Sequence, residues 1–133
     1  MNNDEIDKVV ELLRGSCLCG GVVCRAAMPA LGASHCYCTM CQKFHGAAAG
    51  SWLHVAAAGY VVERGAGLIV EYVSSATGRG GFCRSCGSSL HWRSTDKPHV
   101  IEVALGTLQP AWAGAVVPEL YVENKPGWLA QAC

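Results

Sequence analysis

The segment Cys36-Tyr37-Cys38-Thr39-Met40-Cys41 places three thiols within six residues. Cys17-Leu18-Cys19 precedes it and Cys83-Arg84-Ser85-Cys86 follows, so seven of the chain's nine cysteines fall in short-spaced groups. Sulfurs so spaced can turn back on one ion at about 2.3 Å, and zinc takes four ligands in a closed structural site but three from the protein in an open one. Four plus three accounts for all seven. A disulfide framework is the competing reading, because small cysteine-rich domains in oxidising compartments are often stapled that way. Met1-Asn2-Asn3-Asp4-Glu5 lacks the basic start and apolar run of a secretory signal, which points to reduced thiols and a cytoplasmic setting. Neighbours such as Cys17 and Cys19 are also poor disulfide partners for each other. Metal is therefore the preferred reading.

The rest of the composition narrows the class. At 133 residues the chain has the size of one domain, and 51% hydrophobic with only 15% charged residues argues for a filled interior over disorder. Ten basic and ten acidic side chains cancel, which removes the field that draws a protein to nucleic acid. No apolar run reaches the roughly 18 residues of a membrane span. The zero net charge leaves self-association into a homo-oligomer open.

From Asp4 to Arg14 the apolar positions Ile6, Val9, Val10 and Leu13 fall on one helical face, with Gly15 as the stop. This predicts a helical extension over 1–14 and a zinc-binding β domain over 15–133. Gly20-Gly21-Val22-Val23-Cys24-Arg25-Ala26 reads as a turn into a strand closed by Met28-Pro29-Ala30. Further short strands are expected at Ala48–Val55, Tyr60–Glu63, Leu68–Val73, Ser89–Trp92, Val100–Leu105 and Leu120–Val122, with Gly78, Gly80 and Gly81 among the separators. Many short strands and little helix make the domain mainly β. Cys24 reads as a small core residue and, with Cys133, stays outside the metal set.

Gly15-Ser16-Cys17-Leu18-Cys19-Gly20, the central thiol segment, Phe82-Cys83-Arg84-Ser85-Cys86-Gly87 and the late Lys125-Pro126-Gly127-Trp128 together resemble the glutathione-dependent formaldehyde-activating (GFA) enzyme family. The similarity runs from about Gly15 to Trp128. It implies an Mss4-like fold of packed, curved antiparallel sheets with zinc knuckles, two zinc ions per chain, and carbon–sulfur lyase activity. Residue by residue, Cys17, Cys19, Cys83 and Cys86 match the family's closed structural site, and Cys36, Cys38 and Cys41 its catalytic site. The chain departs from the family at Tyr37, often His there, and at Gln42, often Arg.

Three thiolates leave one coordination position free, where a substrate thiol or the oxygen of an aldehyde adduct could bind. The expected partner is accordingly a small-molecule thiol or thiol–aldehyde adduct, and the family resemblance implies S-hydroxymethylglutathione as an example. His35 or His45 could fill that position instead, giving two closed sites and a non-catalytic, zinc-stabilised binding or chaperone-like module. His45 is the better candidate for proton transfer, since an ordinary imidazole titrates near neutrality. Lys43 reads as a solvated lysine that could attract a carboxylate. Phe44, Trp52 and Trp92 read as core or pocket lining, and Trp128 as an anchor for the last segment.

Overall fold

The structure is a computed structural model and describes residues 11–116 and 118–130, the side chain of residue 130 excepted. In chain order it contains β1 (Leu12–Ser16), β2 (Val23–Ala27), β3 (Gly32–Cys36), α1 (Thr39–His45), β4 (Gly50–Ala56), β5 (Tyr60–Arg64), β6 (Ile69–Val73), β7 (Gly78–Cys83), β8 (Ser89–Ser94), β9 (Val100–Ala104) and β10 (Glu119–Leu120). These strands form a three-stranded sheet ordered β1-β2-β5 and a seven-stranded sheet ordered β10-β3-β4-β9-β8-β7-β6. The domain is mainly β, as expected. The pairings are antiparallel except that of β10 with β3, which is parallel, so the large sheet is mixed at that edge.

Strand alternation gives the large sheet two different faces. On β4, Leu53 and Val55 point to one side, where Leu53 lies in register with Ala33 and Val103, and Val55 with Ile101. With Leu13 of β1, Ala26 of β2 and Leu108 they make the main core, so the small sheet covers this face. The opposite face carries Cys36, Ser34, Trp52 and one register row that runs His54, Glu102, Trp92, Gly80, Tyr72 across five strands. That face holds the site.

Two expectations are corrected. Leu12–Arg14 belong to β1, paired in register with Arg25–Ala27, so the helical stripe does not extend through Leu13 and Arg14. Burying Leu13 against the large sheet outweighs a local period of only a few residues. The remaining helix positions Ile6, Val9 and Val10 lie outside the described residues, and the division expected after Arg14 falls inside β1. Second, Gly78, Gly80 and Gly81 are not separators but lie within β7. A Cβ on Gly80 would come 3.0 Å from the Phe44 ring, and one on Gly81 only 2.2 Å from the His91 ring. The bare backbone of β7 lets a ring seat on each face.

On the covered side, β6 and β8 share an ionic cluster. Arg93 donates two hydrogen bonds of 2.7 Å to Glu71, and the buried His91 Nε2 lies 2.8 Å from the same carboxylate. The Arg93 guanidinium first, and His91 after it, hold the Glu71 carboxyl down from 4.5 to about 2. A carboxyl depressed on folding contributes stability that is complete above about pH 4.5 and disappears as pH falls towards 2. Because 30% of the Glu71 side chain is exposed, solvent screening reduces the contribution to about 1–2 kcal/mol. Glu71→Gln should therefore lower denaturant stability by that amount at pH 7 and by only about a quarter of it at pH 2.5. Parallel urea titrations at the two values check it, and an equal loss at both would refute the assignment.

Candidate metal centres

The first centre joins two turns from opposite ends of the sequence. After β1, Cys17 and Cys19 flank Leu18, and the chain reverses at Gly20, whose φ of 74° suits glycine. The reversal aims backbone N–H groups at sulfur: Val22 donates to Cys17 Sγ at 3.2 Å and Gly21 to Cys19 Sγ at 3.4 Å. After β7, the turn Cys83-Arg84-Ser85-Cys86 closes at Gly87, with φ of 79°, and its N–H donates to the Cys83 carbonyl at 2.7 Å. Ser88 ties the two turns, accepting from Leu18 N–H at 2.9 Å while its hydroxyl lies 3.3 Å from Cys86 Sγ.

All four sulfurs of Cys17, Cys19, Cys83 and Cys86 lie within 4.8 Å of one another, with Cys17 and Cys19 3.5 Å apart and Cys19 and Cys83 3.9 Å apart. A tetrahedral ion with arms of about 2.3 Å needs sulfur–sulfur edges of about 3.8 Å. These distances fit such an ion, and every described cysteine is free of disulfide bonding. The Ser88 hydroxyl lowers the Cys86 thiol, which favours its thiolate form as a ligand.

The second centre is built at the end of β3. Cys36 points from the strand to the site face, and the chain then enters α1, a seven-residue helix capped by Cys38, whose sulfur accepts the Cys41 N–H at 3.3 Å. The three sulfurs of Cys36, Cys38 and Cys41 lie within 4.8 Å of one another. Among the described residues no His, Asp or Glu joins them. Burial pushes the Cys36 and Cys41 thiols up, so a cation that holds them as thiolates must displace their protons.

Beside this trio opens a cavity of about 650 Å³. Its lining includes all three thiols, the rings of Phe44, Trp52, Tyr72, Trp92 and Tyr121, and the polar side chains of Ser34, Lys43 and Glu102. Phe44 stacks on Trp52 with centroids 6.2 Å apart, which seats α1 on the sheet. At the cavity's other end Ser34 Oγ meets His54 Nε2 at 2.8 Å, and His54 Nδ1 lies 3.3 Å from Glu102. Burial pushes the Glu102 carboxyl up to about 7 and lowers His54.

The other expected residues are placed as follows. His35 points to the opposite face from Cys36 and bonds Ser51 at 2.8 Å, so it is no ligand of the trio. His45 does not line the cavity: its ring packs 4.7 Å from Trp52 and 5.3 Å from Phe44, and burial lowers its basicity. Cys24 is buried away from both sulfur groups, its thiol 3.8 Å from the Gly15 carbonyl. Trp128 is 66% exposed, so its ring is not the buried anchor expected for the last segment. The departures Tyr37 and Gln42 instead hold the late segment: Gln42 donates to the Tyr37 and Asn124 carbonyls, Tyr37 N–H donates to Leu120, and Lys125 lies over the Tyr37 ring. Sequence reading missed Ser34, His54 and Glu102. Ser34 stands two residues before Cys36, hence on its face, and Glu102 is the one charge inside the apolar strand Val100–Ala104.

Among the described residues no helix is long and apolar enough to cross a membrane. No curated protein matches the chain. A Rhodobacter sphaeroides protein of known crystal structure is similar, with a TM-score of 0.65 and 25% identity over 80% of this chain and 98% of that one. The family model described as glutathione-dependent formaldehyde-activating enzyme matches residues 12–124, which include both sulfur groups and the cavity between α1 and the sheet. The chain therefore belongs to the GFA family.

Proposed function

We propose that the protein is a carbon–sulfur lyase that uses two zinc ions on an Mss4-like scaffold in a reducing, cytoplasmic setting, and makes or breaks a thiol–aldehyde adduct. The observation that carries this is a group of three sulfurs, without a fourth donor among the described residues, opening onto a cavity large enough for a small organic molecule. Zinc held by Cys36, Cys38 and Cys41 would favour the thiolate form of a substrate thiol and polarise an aldehyde oxygen. In the forward direction the sulfur–carbon bond forms at the carbonyl carbon and the thiol proton ends on the new hydroxyl; cleavage is the reverse. The protein's own share is to exclude water with Phe44, Trp52 and Trp92 and to offer Lys43 to an anionic group of the substrate. His45, packed against Trp52, supports that wall.

Cys38→Ser tests the assignment. Its sulfur is half-buried at the start of α1 and takes no part in the four-sulfur cage. The variant is expected to melt within a few degrees of the parent, to retain one zinc per chain by metal analysis, and to lose at least ~100-fold of formaldehyde–thiol exchange. Unfolding as severe as that from loss of the outer cage, or full retention of exchange, would refute the proposal. A binding module stabilised by zinc would show no exchange in the parent protein at all.

A further inference from the structure

The far end of the cavity has a chemistry of its own. Glu102 lies on the register row of His54, Trp92, Gly80 and Tyr72 and lines the cavity with the two aromatic members of that row. It stands four residues along and two strands across from Cys36, a Cα separation of about 16 Å at ordinary strand spacings. It is therefore no part of the sulfur group, yet both open on the same space.

Its surroundings leave it a carboxyl without a cation in contact, Lys97 acting on it only from further off. Among the described residues no Lys or Arg comes within ion-pair distance; its partner is His54, which burial keeps towards the neutral form. Among the described residues Lys43 is the one lysine or arginine lining the cavity, and it sits on α1 beside Cys41, at the sulfur end. His54 is in turn fixed by Ser34, so the carboxyl is held in place from behind. A carboxyl in register beside Trp92, with Tyr72 further along the same row beyond Gly80 and both rings lining the cavity, is chemically complementary to an organic cation, which gains from the charge and from an aromatic neighbour together.

We propose that Glu102 is a specificity-determining residue that receives the ammonium group of a substrate whose other end reaches the Cys36/Cys38/Cys41 sulfurs. The sulfur end of this statement rests on the function proposed above; the ammonium end does not. Burial raises the half-buried carboxyl to about 7, Lys97 offsets this only from beyond ion-pair distance, and an arriving ammonium supplies the contact that is missing. A carboxylate in the same place would meet repulsion.

The test uses zinc-loaded protein and two probes without thiol or aldehyde, 4-phenylbutylamine and 4-phenylbutyrate, titrated by calorimetry at pH 8. The amine is expected to bind the parent protein roughly tenfold or more tighter than the acid. Glu102→Gln should weaken the amine by a similar factor and abolish the preference. It should fold like the parent, since it removes a half-buried acid and keeps the shape. Equal binding of the two probes to the parent, or an undiminished preference in Glu102→Gln, would overturn the proposal. The comparison within the parent decides even without the variant. Since neither probe can enter adduct exchange, failure here leaves the lyase reading standing, and failure of exchange leaves this result standing.

Discussion

Cys83→Ser is expected to abolish cooperative folding at 37 °C. Cys83 ends β7 with no exposed surface, and its sulfur lies 3.9 Å from that of Cys19, 64 residues earlier. The four-sulfur cage is where the turn after β1 is fastened to the turn after β7, with Val22 and Leu90 packed against the sulfurs. A structural zinc contributes about 10–16 kcal/mol of apparent binding free energy, whereas a whole domain is stable by about 5–15 kcal/mol. Serine in place of one thiolate removes a ligand and leaves a hydroxyl buried in an apolar cluster, so both effects act in the same direction. Far-ultraviolet circular dichroism should show loss of the sheet signal and no thermal transition, and a chelator added to the parent protein should reproduce it. Cys24→Ser, at a thiol buried outside both sulfur groups, should keep its transition. A Cys83→Ser protein that melts within a few degrees of the parent would remove the cage from the account of stability.

The contrast between those two cysteines shows what the sequence could tell and what it could not. Cys17, Cys19, Cys83 and Cys86 are legible because ligand spacing is local and each pair needs only its own turn to converge. The strands Ala48–Val55 and Val100–Leu105 are legible because they are apolar and long enough to alternate, and the structure finds β4 and β9 there. β7 is not, because Gly80 and Gly81 stand where the rings of Phe44 and His91 press on the strand, contacts that only the folded sheet and the seated helix reveal. α1 is equally silent: seven residues with no buried side chain carry no period, and its boundaries are set by a sulfur cap at Cys38 and the left-handed Gly46. The strand expected at Leu120–Val122 is found as β10 at Glu119–Leu120, with Val122–Asn124 in a 3-10 turn, because a two-residue parallel backbone contact has no side-chain pattern to fix its bounds. For the site, the thiols could be read but the cavity's other end could not. Ser34, His54 and Glu102 come from three strands, and only the register of β3, β4 and β9 brings them together.

Trp52→Ala is expected to cost about 3–5 kcal/mol, on the order of 10–20 °C in Tm, and to empty the inner metal centre while leaving the outer one filled. Trp52 is 1% exposed at the middle of β4, between Ser34 and Ala104 in register. Its indole lies along Gly50, where a Cβ would come 2.4 Å from the ring nitrogen and 3.0 Å from the Cys41 side chain, so the bare backbone there lets ring and ligand share one space. Above the ring sit Phe44 at 6.2 Å and His45 at 4.7 Å, both on α1. That helix buries none of its own residues fully, so these ring contacts are what seat it, and with it Cys38 and Cys41, against Cys36 on the sheet. Alanine at position 52 leaves a void under the helix, and three sulfurs that must meet within a few ångströms lose their common reference. The four-sulfur cage belongs to a different apolar cluster, that of Val22 and Leu90, and does not feel the change directly. Metal analysis should therefore find one zinc per chain in Trp52→Ala, and two in Trp52→Phe, which keeps a ring for Phe44 and His45 to rest on. If Trp52→Ala held both ions and melted within a few degrees of the parent, the seat of the inner centre would lie elsewhere, in the Gln42 bonds to the Tyr37 and Asn124 carbonyls.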